Sequence, residues 1–187
     1  MMTVSIWNKY AIVVYLVKKY ANQGHLGRTV LQKLVYLLQV LFNINCGYDF
    51  KFYTYGPFSS EILSNIDIME RYHAIKTHRV DYGCGYLGYE IESASECDKV
   101  LDRSQEFISK NRDNIDRMLD IFQGKTAEQL ELYATIVWVD RDIKTTSHSS
   151  EEICSIVKEL KPKFDLGTIN SGIEFIKSHN FLTSHQG

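Results

Sequence analysis

Few residues of this 187-residue chain have the type and spacing of reactive groups. Cys84 stands between Gly83 and Gly85, where a thiol would be open to attack an electrophile. A cysteine or serine enzyme also needs a positioned base, and neither a Gly-x-Ser-x-Gly elbow nor a cysteine-protease signature occurs. His73, His78 and Cys84 come nearest to a metal set, but their spacing fits no compact ligand pattern and no fourth ligand stands beside them. His25, His148, His179 and His185 stand singly in loops or near helix ends. Residues 83–88 spell Gly-Cys-Gly-Tyr-Leu-Gly, the letters of a dinucleotide-binding turn. A pyrophosphate needs a helix N-terminus directly after that turn, whereas Tyr89, Glu90, Ile91 and Glu92 alternate as a strand does. A glycine-rich hairpin tip is the better reading. Glu151-Glu152, Asp140 and Asp142 suit helix ends and loops, so the sequence asks for no enzyme, cofactor or metal.

Recognition has more residues behind it than catalysis. Residues 48–61, YDFKFYTYGPFSSE, run an aromatic strand into a Gly-Pro step, a device that shapes a surface. Lys33 and Tyr36, on a helix just before it, and Tyr55, Gly56, Pro57, Ser60 and Glu61 form the expected binding set. The same aromatics would serve equally to pack that helix against the strand. A second possibility is DNA, with Arg71 at a helix end and Lys76, His78 and Arg79 along a wing. Lys158, Lys161 and Lys163 near a second helix-turn-helix-like junction could add to it. Against DNA stand Glu61, Asp67 and Glu70 on the reading helix.

The elements that must position these residues follow from periodicity. Ile6, Tyr10, Val13, Val14, Val17 and Ala21 mark a first helix, with Gly24 as its cap. Leu31, Leu34, Val35, Leu38, Leu41 and Phe42 stripe a second, whose other face gathers Gln32, Tyr36, Gln39 and Asn43. Tyr48, Phe50 and Phe52 alternate as a strand, and Pro57 suits the first turn of a third helix reaching about Tyr72. Residues 74–82 and 86–92 predict a hairpin. Three helices, a strand and a ribbon make up a winged helix.

A long helix over residues 95–122 is expected to link this half to a helical second half. There, Thr126-x-x-Gln129 and Ser149-x-x-Glu152 are capping boxes, and Asp165 caps a last helix. The helix after Thr126 carries Leu130, Leu132, Tyr133, Ile136, Val137 and Trp138 on nearly all sides and should be central. The expected fold is α+β and predominantly helical: a winged-helix-like subdomain over 1–92 and a helical subdomain over 93–187, packed as one unit.

Composition sets the outer bounds. With 44% apolar and 12% aromatic residues the chain can bury a core without staples. The net charge of -2 gives no global attraction to nucleic acid or anionic membrane. Residues 1–92 hold 9 Lys/Arg against 7 Asp/Glu, and residues 93–187 hold 12 against 16. Cys46, Cys84, Cys97 and Cys154 are scattered with no C-x-x-C pair, as in a cytoplasmic protein with reduced thiols. The apolar run over 11–17 falls well short of the roughly 20 residues that span a bilayer, and no export signal, anchor or membrane partner is expected.

Leu31-Gln32-Lys33-Leu34-Val35-Tyr36-Leu37, followed by an aromatic strand into Tyr55-Gly56-Pro57, resembles the Panacea domain of SocA-like antitoxins and adaptors. Glu151-Glu152-Ile153, Leu160-Lys161-Pro162-Lys163-Phe164 and residues 173–182 are similar to YwgA-type prokaryotic proteins. The resemblance implies a mostly helical protein that acts by binding another protein, a toxin or a regulated factor, with Lys33, Tyr36, Gly56 and Pro57 at the matching positions. Self-association is compatible with it.

Overall fold

The stripe that begins at Ile6 folds as α1 (Ile6–Tyr20), and residues 11–17 are buried around the whole helix. The computed structural model describes residues 4–20, 26–81, 83, 87–142 and 149–183. The Gly24 cap therefore lies outside the described residues, as do His25, Cys84, His148 and His185. After Gly27 comes α2 (Arg28–Leu41), in which every residue from 30 to 38 is buried. This corrects the expected polar-aromatic contact side: Gln32, Lys33 and Tyr36 are as deeply buried as the leucines around them. The helix is covered on both sides, and its polar groups must find partners inside the protein.

Those partners come from the Gly-Pro segment. Pairing begins only at β1 (Lys51–Tyr53), and Gly56, Pro57 and Phe58 form a second strand, β2 (Gly56–Phe58), antiparallel to it. Tyr53 faces Gly56 across a tight turn, and Lys51 faces Phe58. Pro57 consequently does not open a helix; α3 (Ser60–Arg71) starts beyond it. Proline suits a helix start and an edge strand for the same reason, its missing N–H. Gly56, at φ +82°, closes the turn in a conformation that L side chains avoid and so commits the chain to the ribbon.

The end of α3 is a Schellman cap. His73 adopts φ 54° and donates its N–H to Glu70 O at 2.9 Å, while Ala74 N–H reaches Met69 O at 2.9 Å. The expected hairpin follows as β3 (Ile75–Asp81) and β4 (Leu87–Ser93), in register from Ile75↔Ser93 to Asp81↔Leu87. Both outer edges find partners. Ile91 N–H donates to Leu26 O at 2.9 Å, and the Glu70 carboxylate accepts from Thr77 N–H at 2.9 Å.

The helix expected over 95–122 is two: α4 (Cys97–Asp102) and α5 (Gln105–Phe122). Buried Ser104 leaves helical geometry at φ −131°, so that α4 lies on α1 while α5 also reaches α2. Thr126 and Gln129 exchange the two hydrogen bonds of a capping box at 3.0 and 3.1 Å ahead of α6 (Ala127–Asp142). Ser149 and Glu152 do the same before α7 (Ser150–Leu160), and Asp165 caps α8 (Leu166–Ser178) through Thr168 N–H at 2.8 Å. α6 is central, touching α2, β2, α7 and α8.

Among the described residues the fold is predominantly helical α+β, with eight helices and two two-stranded antiparallel sheets. A single buried cluster draws on α1 and α2 from the first half and on α5 to α8 from the second. No helix among the described residues is long and apolar enough to cross a membrane.

Candidate functional site

The β1–β2 ribbon is held by side chains that grip its backbone. From α2, Gln32 Nε2 donates to Ser59 O at 2.8 Å while Gln32 Oε1 accepts from Ser59 N–H at 3.0 Å. Two turns along the helix, Gln39 makes the same reciprocal pair with Tyr48, at 2.9 and 3.2 Å. Lys33, between them, donates from Nζ to Pro57 O at 2.7 Å. The row on α2 thus imitates a neighbouring strand, supplying donors and acceptors to a chain that has only one β partner. Tyr48 adds a side-chain anchor, donating to Lys9 O at 2.9 Å and accepting from Asn65 Nδ2 at 2.9 Å.

Behind the ribbon sits a cluster of buried charges. Lys161 and Glu131 are each only 3% exposed. Lys161 Nζ donates to Thr54 O and lies 2.8 Å from Glu131 Oε1, at an angle that makes this contact an ion pair without a hydrogen bond. Exposed Lys163 donates to Glu131 Oε2 at 2.9 Å. Burial pushes the Lys33 amine down to about 8; the Glu131 carboxylate opposes the shift and the Lys161 ammonium adds to it. One buried carboxylate therefore serves two buried amines and a third at the rim. The turn fits tightly over this cluster: a Cβ on Gly56 would meet Thr135 Oγ1 at 3.1 Å.

The outer face of the ribbon is aromatic and open. Tyr53 is 56% and Tyr55 63% exposed, although large apolar side chains usually withdraw from water. With Phe58 and Leu63 they wall a groove of about 320 Å3 that has Arg28 and Lys33 at its base. Tyr53 and Phe58 also line a second, polar concavity of about 260 Å3 containing Asp49, Lys51 and Glu61. Their rings meet edge-on at 5.3 Å and form the ridge between the two hollows. The inner face carries Phe52, which packs on Trp138 with ring centroids 5.7 Å apart.

The expected binding set is thus brought together around the turn but divides by depth. Tyr55 and Ser60 are exposed, and Glu61 is half-buried and ion-paired with Lys9 at 2.7 Å. Lys33, Tyr36, Gly56 and Pro57 are buried, and of these Lys33 and Gly56 also line the groove. Glu131, Tyr53 and Arg28 were not in the expected binding set, and Lys161 was expected only at the second helix-turn-helix-like junction. A carboxylate between Leu130 and Leu132, in a stretch from 130 to 139 whose only other polar side chains are Tyr133, Thr135 and Trp138, was the signal for the buried cluster.

Several of the residues considered for DNA face carboxylates or the interior. Lys76 stands opposite Glu92, His78 opposite Glu90, and His78 Nε2 is hydrogen-bonded to Glu92. Arg71 and Arg79 are exposed. The lysines of the second helix-turn-helix-like junction are occupied internally: Lys158 donates to Phe164 O at 2.7 Å, Lys161 is buried, and Lys163 pairs with Glu131. Burial removes Lys161 from any phosphate-binding face, which corrects its expected place there. Cys46, Cys97 and Cys154 are free and buried, and burial pushes the Cys46 thiol up to about 12. Scanned against protein-family models and searched against curated proteins, the chain matches none.

Proposed function

We propose that this chain is a non-enzymatic cytoplasmic interaction module that holds another protein at the β1–β2 ribbon, in the manner of the antitoxins and adaptors its sequence resembles. The observation that carries this reading is the pair of exposed tyrosines, Tyr53 and Tyr55, on a turn whose backbone is fixed from behind. Tyrosine presents a large amphipathic surface with few rotamers, and a pre-ordered backbone spares the entropy of closing a loop on a partner. Partners of this kind bury such side chains at the centre of the contact.

The test compares the tagged chain with a Tyr53→Ser/Tyr55→Ser double variant in pull-downs from native lysate, each with and without nuclease. A protein that survives nuclease and is lost from the variant supports the reading. A partner that disappears with nuclease overturns it in favour of nucleic acid.

A further inference from the structure

The groove beside the ribbon is chemically one-sided. Among the described residues its charged lining consists of two cations, Arg28 and Lys33, with no carboxylate, in a protein whose net charge is -2. The hollow across the Tyr53–Phe58 ridge is lined by Asp49 and Glu61 as well as Lys51. The positive character of the groove extends below its surface, where Lys33 and Lys161 share the single carboxylate of Glu131. Low-dielectric walls carry the field of such buried charges into the opening instead of screening it. Lys33 spends one hydrogen of its ammonium on Pro57 O, and an ammonium has three to give. Arg28 is partly balanced by Asp67 at 3.8 Å and stacks on Tyr89, with 4.3 Å from guanidinium to ring centroid. The first turn of α2 contains no acidic residue.

Above this base the walls are Tyr53, Tyr55, Phe58 and Leu63. Cationic base and apolar walls together define an occupant with both an anionic and an apolar end. At about 320 Å3 the space lies at the lower end of small-ligand sites, which run from about 300 to 1,000 Å3. It therefore suits a few side chains, and the hollow across the ridge lets a longer chain continue past it.

We propose that the groove receives an extended segment of a partner protein that carries a carboxylate side chain next to a bulky apolar one. The carboxylate lies over Arg28 and Lys33 and supplies the counter-charge that Glu131 alone does not. The apolar side chain lies between Tyr55 and Leu63. This proposal rests on the ribbon being a protein-binding site and adds the chemistry of what it binds.

The experiment pans a random peptide library, displayed on phage, against the full chain, and retains only peptides that fail to bind the Tyr53→Ser/Tyr55→Ser variant. Retained peptides should be enriched in Asp or Glu beside Phe, Leu, Ile or Trp. Replacing that Asp by Asn should weaken binding about tenfold or more, the scale of a hydrogen bond to a charged group. Arg28→Gln should reduce the Asp/Asn discrimination, and Arg28→Glu should reverse it; a thermal melt of each variant checks that the fold survives. Tyrosine-dependent peptides with no acidic preference, or a basic one, overturn the proposal while leaving the ribbon as a binding site. If no tyrosine-dependent peptide is recovered the proposal also fails, and the pull-down then decides separately whether the interaction reading fails with it.

Discussion

Lys33 sits in an environment far from the usual one for a lysine. An amine with an ordinary value of 10.5 is held at about 8 by burial, with Glu131 offsetting part of the effect and Lys161 reinforcing it. The unfolded chain keeps its proton to higher pH than the folded one, so between these limits unfolding takes up a proton. Stability attributable to Lys33 is thus fully present above about pH 10.5 and is lost as pH falls through 8, a span worth about 3 kcal/mol. Cys46 works in the opposite direction: its thiol rises from 9.0 to about 12, so it subtracts stability above pH 9. The comparison to make is therefore between wild type and Lys33→Met, which share Cys46, by urea unfolding from pH 7 to 9.5. The stability of wild type relative to the variant should climb with pH once past 8. A difference independent of pH would show that the Lys33 amine is not desolvated as described.

At the scale of elements, the ribbon depends on α2 more than on its own short ladder. Gln32→Ala removes two hydrogen bonds and leaves the buried N–H and C=O of Ser59 without their partner, a loss of about 2 kcal/mol. Gln39→Ala removes the equivalent pair from a half-buried site, where water can replace it, and should destabilise less. Chemical denaturation of both variants checks the order, and the reverse order would sink this account of the ribbon. These roles were hidden in the sequence because a polar side chain in a helix ordinarily means solvent, and nothing local reveals that Gln32 faces another segment's backbone. Local signals were legible: Thr126, Ser149 and Asp165 cap the helices they were expected to cap. Pro57 was not, because its missing N–H satisfies two structures equally and only the long-range fit of Gly56 against Thr135 separates them. Of the residues gathered at the turn, Tyr55, Ser60 and Glu61 are named by the motif itself, whereas Glu131 and Lys161 reach it from far along the chain.

For the whole molecule, the boundary between residues 92 and 93 divides the sequence but not the core. α2 and β2 of the first half lie against α6 of the second, and the Thr54 carbonyl is held by Lys161. A fragment of residues 1–92 would expose the face of α2 that α6 covers and would lose the cation that fixes the turn. It should lack a cooperative thermal transition and resolved tertiary signals in near-ultraviolet circular dichroism. A fragment that melts cooperatively would establish the first half as an independent domain. The mutual dependence also accounts for the break between α4 and α5, since the chain must serve α1 and α2 in turn before it returns through α6.

The Gln32, Gln39, Lys33 and Lys161 grips all end on main-chain atoms, those of Tyr48, Thr54, Pro57 and Ser59. Every amino acid other than proline offers the same atoms. The side chains at 53, 54 and 55 can therefore be exchanged while the loop keeps its path, which makes this turn a ready-made cassette. Homologous or engineered chains could carry different recognition triplets on an unchanged mount, as an antibody framework carries its variable loops.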